Sequence, residues 1–229
     1  MNNLNTKLDW TVEQLWRGCV LAGLANAITI SKYPMLAHEQ SWDGYNYSVQ
    51  DSAGQRGTIS FVDGCADGCM NGNCVAAFRN ENSERIADLG LAENYFQGAP
   101  SEIIELANAE ALQYLLDEVD GEVRPFITTA FWGKDELYSN DTFEDMLVNG
   151  GELLEKQSMD IDDAIDAWQD YLEMNDEQIE LLISLYERKV NNFSEPLTLS
   201  EEEIDIICID DEGLEECRIS FEEMGIFWA

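Results

Sequence analysis

Trp42–Val62 reads WDGYNYSVQDSAGQRGTISFV, and its period is two. Tyr45, Tyr47 and Val49 alternate with polar neighbours, as strands do when one face meets a core. Asp51-Ser52-Ala53-Gly54 supplies turn chemistry, and Thr58-Ile59-Ser60-Phe61 within Gly57–Val62 is a second strand. Cys74–Phe78 is a third. The loop before it holds Gly64, Gly68, Asn71, Gly72 and Asn73, residue types that tolerate positive φ. Short strands joined in this way predict an antiparallel meander.

Outward from the meander the period becomes helical. On the N-terminal side, Thr11 and Gln14 make a capping box for a helix over Thr11–Thr29. Its apolar stripe is Val12, Leu15, Trp16, Cys19, Val20, Gly23 and Ala27, and Pro34 prevents continuation. On the C-terminal side, Ser101 is expected to cap a helix running through Ile103, Leu106, Ala107, Tyr114 and Leu115 to a stop at Gly121. Pro125–Trp132 (PFITTAFW) has high β propensity and reads as a central strand ended by Gly133.

Three helical segments follow. Asp141-Thr142 caps the first, which reaches about Lys156 with a break near Asn149-Gly150-Gly151. Met159–Glu173 is the second, with Ile161, Ala164, Ile165, Trp168 and Leu172 as its buried stripe. Asn175 and Gln178 box the third, with Ile179, Leu182, Ile183 and Tyr186 on one face and Arg188 and Lys189 at its C-terminal end. In the tail, Ser200–Glu203 is a capping box for a helical turn. A strand to Ile209, a turn at Asp210–Gly213 and a return strand over Glu216–Phe221 then make a hairpin.

The predicted class is α+β: an antiparallel sheet packed with helices, followed by an acidic helical region and a C-terminal β-hairpin. A soft boundary near Ser139-Asn140 divides an α+β region, residues 1–139, from the acidic helical region with its hairpin, residues 140–229. The two are expected to form one compact unit.

Charge narrows the function. The 229 residues carry 47 acidic and 12 basic side chains, a formal net charge of −35. A nucleic-acid binder needs a basic patch to neutralise phosphates, and an anionic membrane surface attracts bases as well. Direct nucleic-acid binding and membrane docking are therefore excluded as expectations. A 45% hydrophobic content with six tryptophans excludes disorder. The charge is also uneven. Residues 1–91 carry ten acids and six bases, whereas residues 92–229 carry 37 acids and six bases. Solubility needs a charge of magnitude about 2–8 in a small domain, so an excess of this size implies a further use.

The chain begins without a basic segment leading into a long apolar run, and Gly18–Ile30 is too short to span a bilayer. A cytoplasmic location is expected, with the six cysteines reduced. Cys65, Cys69 and Cys74 are spaced by three and four residues, and Cys208 and Cys217 do not provide a matching pair, so no zinc site is expected. No calcium loop is expected either, because Cys65 and Cys74 stand where Asp63-Gly64-Cys65-Ala66-Asp67-Gly68 would need oxygen ligands. No metal and no cofactor is assigned.

The single histidine, His38, limits catalysis. The chain contains no nucleophile elbow, phosphate-binding loop, dinucleotide fingerprint or His-Glu-x-x-His. No residue is assigned as catalytic, and a binding role ranks above an enzymatic one. Asp162, Asp166, Asp170 and Glu173 follow i, i+4, i+8, i+11 spacing and form a like-charged ridge with no basic neighbours in sequence. Each like-charged i,i+4 pair disfavours the helix by roughly 0.2–0.5 kcal/mol. Such a ridge is either a solvated face or a docking face for a cationic partner. The partner-binding set comprises Asp160, Asp162, Asp163, Asp166, Asp170, Glu173, Glu201, Glu202, Asp210, Asp211 and Glu212.

In charge and general build, across the chain rather than in a motif, the sequence resembles the cytoplasmic immunity proteins that neutralise bacterial nuclease toxins. It also resembles phage-type DNA mimics. The first resemblance implies an inhibitory binding protein whose region 141–223 meets a basic cleft on a toxin. The second implies an inhibitor of a restriction or other DNA-binding defence enzyme. Either way the partner is a basic protein. A third reading is a hydrolase or transferase built around His38, Glu39 and Asp43 or Cys65.

Overall fold

The computed structural model describes residues 5–62, 72–88, 90–119, 121–207 and 213–229. The class is α+β. Eleven strands and seven α-helices occur among the described residues. The main sheet has seven strands in the order β1-β9-β8-β5-β4-β3-β2, namely β1 Thr6–Thr11, β2 Gln40–Asp43, β3 Asn46–Gln50, β4 Gln55–Val62, β5 Asn73–Asn80, β8 Thr129–Gly133 and β9 Glu136–Ser139. The meander is present: β3 pairs β4 and β4 pairs β5, both antiparallel. The Asp51 carboxylate accepts hydrogen bonds from the backbone N–H groups of Ala53 and Gln55, which closes the expected turn.

The chain divides into two compact units. One comprises Met1–Glu13, Tyr45–Asp63 and Met70–Glu155; the other includes Gln14–Gly44 and Lys156–Ala229. In the first unit, β8 pairs β5 and β9, and all five of its residues are buried. Burial of both its faces explains why the run PFITTAFW shows no alternation in hydrophobicity. Ala130 and Trp132 face a cluster with Val75, Ala77, Phe96, Ile103, Ala107 and Leu112. Phe131 instead meets Trp10 and Phe78, at ring centroids of 6.2 and 5.7 Å. Trp10 also stands edge-on to Phe143 of α3, Phe143–Val148.

The expected helix from Ser101 to Gly121 is shorter than its sequence pattern. α2 spans Ser101–Ala109, Pro100 is its N-cap, and Ser101 is inside the helix rather than capping it. Glu110 leaves helical geometry (φ −124°, ψ −93°), and a 3-10 turn covers Ala111–Leu115. A hairpin follows, β6 Leu116–Val119 with β7 Glu122–Pro125. Gly121, at φ 81°, is the turn residue of this hairpin and not a helix stop. The sequence Asp120-Gly121 between β-branched Val119 and Val123 is hairpin chemistry, and it overrides the preceding helical period.

The second unit is mainly helical. α1 (Val12–Thr29) is buried on every side from Gly18 onward, wider than the expected stripe. Trp16 and Trp42 both pack on Phe193, each at 5.4 Å. α4 spans Ile161–Leu172 and buries Ala164, Trp168 and Leu172. α5 spans Asp176–Asn191, and the Asn175/Gln178 capping box is formed in full. Its buried face is Gln178, Leu181, Leu182, Leu185, Tyr186 and Lys189. Ile183, expected on that face, is exposed, because the stripe runs one residue off the predicted one.

A C-terminal strand pair is present, at other residues than expected. β10 (Leu197–Leu199) pairs in parallel with β11 (Ile226–Trp228), so it is not a hairpin. The predicted strands are helical where described: α6 covers Glu201–Ile207 and α7 covers Leu214–Glu223. The Ser200/Glu203 box forms, with Glu203 N–H donating to the Ser200 hydroxyl and Ser200 N–H to the Glu203 carboxylate. That nucleus outweighs the β-branched character of Ile204, Ile206 and Ile207.

Candidate functional site

α4 presents the acidic face. Burial of Ala164, Trp168 and Leu172 fixes the rotation of the helix, so Asp162, Asp163, Asp166 and Asp170 fall on its exposed side. Asp160, the N-cap residue, is exposed too, and its side chain accepts no capping hydrogen bond. Asp162 and Asp163 in the first turn suit the positive end of the helix dipole, whereas Asp170 lies in the last turn and opposes it. None of these five carboxylates has an ion pair or side-chain hydrogen bond among the described residues.

Several of the bases are committed elsewhere. Arg79 pairs with Asp117 and Glu81, Arg85 with Asp141, Arg188 with Glu203, and Arg218 with Glu215 and Glu222. Lys156 sits on the aromatic side of α4, its Nζ 4.5 Å from the Tyr171 ring centroid and 5.3 Å from that of Trp168. Tyr171 is itself 48% exposed, and its hydroxyl donates to Glu39 at 2.9 Å. An aromatic therefore stands in the open beside unpaired acids.

Glu173 differs from the rest of the ridge. It ends α4 in the left-handed region at φ 49°, where it is the one non-glycine residue among those described. Its carboxylate accepts hydrogen bonds from the Tyr33 hydroxyl and from Lys32 Nζ, the latter at 3.2 Å. The Tyr33 bond first, and then Lys32, hold its carboxyl below the ordinary glutamate value. Glu173 is thus engaged within the chain and is removed from the set of free carboxylates. Glu201 and Glu202 are exposed in the first turn of α6, where the helix dipole favours them. Asp210, Asp211 and Glu212 lie outside the described residues, as do Cys65, Cys69 and Cys208.

His38 is exposed in a turn, Glu39 bonds to Tyr171, and Asp43 is exposed at the end of β2. Cys19, Cys74 and Cys217 are buried, and no group of three His, Cys, Asp or Glu among the described residues is arranged to hold a metal.

Two features escaped the sequence reading. Lys189 is 1% exposed, and burial pulls its amine down to about 8. Its position one heptad after Leu182, on an apolar stripe, was the available signal. The second is a cavity of about 370 Å³ in the first unit, lined by Asn5, Glu102, Ile103, Trp132, Lys134 and Tyr138 among others. It draws on distant segments, so no local pattern announces it. No helix among the described residues is long and apolar enough to cross a membrane. No known family model, curated protein or solved structure matches this chain.

Proposed function

We propose that this protein is an acidic inhibitory binding protein that neutralises a basic protein partner, acting as an immunity protein against a nuclease-type toxin in the cytoplasm. The observation that carries the reading is the exposed row Asp160, Asp162, Asp163, Asp166 and Asp170, uncompensated in a chain whose arginines are largely paired off. Like charges held together without counter-ions raise the energy of the free protein. A cationic partner relieves that cost and is steered in by the same field. Exposed Tyr171 beside the row offers the kind of aromatic anchor that concentrates binding energy.

The test is capture of partners from the native host, followed by association kinetics with the purified partner. The reading expects a basic partner, an association rate that falls steeply with salt, and slower association with the Asp162→Asn/Asp166→Asn/Asp170→Asn triple variant. A partner without basic character, or association indifferent to salt and to the triple variant, sinks it. Competition between this protein and DNA for one site on the partner selects the DNA-mimic form of the reading.

A further inference from the structure

We infer that the cavity of the first unit is a binding site for a free, zwitterionic amino acid with an apolar side chain. The site does not rest on the acidic face, and its elements all lie within that unit. About 370 Å³ lies within the usual range for small-molecule sites, roughly 300–1,000 Å³.

The floor is apolar. Trp132 of β8 and Ile103 of α2 belong to the buried core cluster, with 2% and 3% exposure, and Tyr138 of β9 packs against that cluster. Trp132 packs against Phe96, with ring centroids 5.8 Å apart. A hydrocarbon or aromatic side chain lying on this floor would extend an existing core rather than found a new one.

The rim is polar and of mixed sign. Lys134 has no carboxylate within ion-pair distance among the described residues, although acids outnumber bases about fourfold in this chain. Glu102 receives only a 3.5 Å hydrogen bond, from the Ser101 hydroxyl. Asn5 and Asn73 add amide groups that both donate and accept. One unpaired ammonium and one weakly engaged carboxylate around an apolar floor match the carboxylate and ammonium of an amino acid. Net charge points the same way. A chain at −35 repels a simple anion over long range and attracts every cation alike, whereas a zwitterion carries no net charge against that field.

The experiment is a two-dimensional NMR titration of the full chain with L-phenylalanine and L-leucine, followed at Trp132, Ile103 and Tyr138. Hydrocinnamate lacks the amine, phenethylamine lacks the carboxylate, and both serve as comparison probes. Lys134→Met and Glu102→Gln are at exposed positions, and unchanged circular dichroism shows that they fold. Saturable shifts at the three floor residues are expected with both amino acids. Each charge variant, and each truncated probe, should bind roughly tenfold or more weakly. Glu102→Gln should leave hydrocinnamate binding unchanged, and Lys134→Met should leave phenethylamine binding unchanged. The proposal is overturned if the floor residues do not shift, if the truncated probes bind as tightly as the amino acids, or if the charge variants bind like the wild type.

Discussion

The Lys189 ammonium donates to the Phe193 carbonyl oxygen at 2.6 Å and lies 4.9 Å from the centroid of the same residue's ring. A second acceptor, the Glu195 carbonyl, is at 3.4 Å. The buried amine thus ties the turn after α5 to the helix end, and Phe193 in turn carries Trp16 and Trp42. The cost of this arrangement is desolvation of a charge.

That cost gives a pH signature. Burial lowers the Lys189 amine from 10.5 to about 8 in the folded chain. Below about 8 the amine is protonated in both states and the folded state bears the full desolvation cost. Between about 8 and 10.5 the folded chain releases the proton while the unfolded chain keeps it, so this group's contribution rises with pH. The total is on the order of 3 kcal/mol. Denaturant unfolding of the wild type and Lys189→Met across that window checks it. The difference between them should change with pH in that direction, and a difference independent of pH contradicts the account.

Relief of like-charge contact on α4 is expected to stabilise. Asp166 stands four residues from both Asp162 and Asp170, and none has a counter-ion among the described residues. Asp166→Asn removes both repulsive pairs and should gain about 0.4–1 kcal/mol at low ionic strength, with the gain shrinking in high salt. Thermal melts at two salt concentrations read this directly.

Close packing of α1 predicts the opposite sign for a substitution that helix propensity favours. A Cβ at Gly18 would lie 1.9 Å from the Gln157 backbone oxygen. Gly18→Ala gains about 1 kcal/mol of propensity but forces backbone apart, a change that costs typically 1–3 kcal/mol or more. A net loss of stability in denaturant unfolding is expected.

A buried polar knot in the first unit gives a further prediction. The Thr128 hydroxyl accepts from Asn80 N–H at 2.9 Å and lies 2.6 Å from the Asn149 carbonyl oxygen, with Thr128 at 0% exposure. Thr128→Val keeps the shape and strands the N–H, which should cost about 1–3 kcal/mol. Thr128→Ser, which keeps the hydroxyl, should recover most of that loss.

Particular residues show where sequence reading sufficed. The meander was legible because Tyr47, Val49, Ile59 and Phe61 obey period two on strands of a sheet, and the Asp51 turn uses its own side chain. The exposed acids of α4 were legible because Trp168 and Leu172 set the rotation of the helix. The α2 segment misled because helical period and hairpin chemistry overlap between Glu110 and Gly121. The tail misled because β-branched residues follow a strong capping box, and the box prevails. Glu173 could not be sorted from its ridge, since its engagement depends on Lys32 and Tyr33, about 140 residues away in sequence. The cavity was hidden for the same reason.

The central claim is that the α4 carboxylates meet a basic protein. The most direct measurement is the association rate of the captured partner with wild type and with the Asp162→Asn/Asp166→Asn/Asp170→Asn variant over a range of ionic strength. The account predicts a fast, strongly salt-dependent rate for the wild type and a slower, flatter one for the variant. Equal rates with equal salt dependence for the two proteins would contradict it.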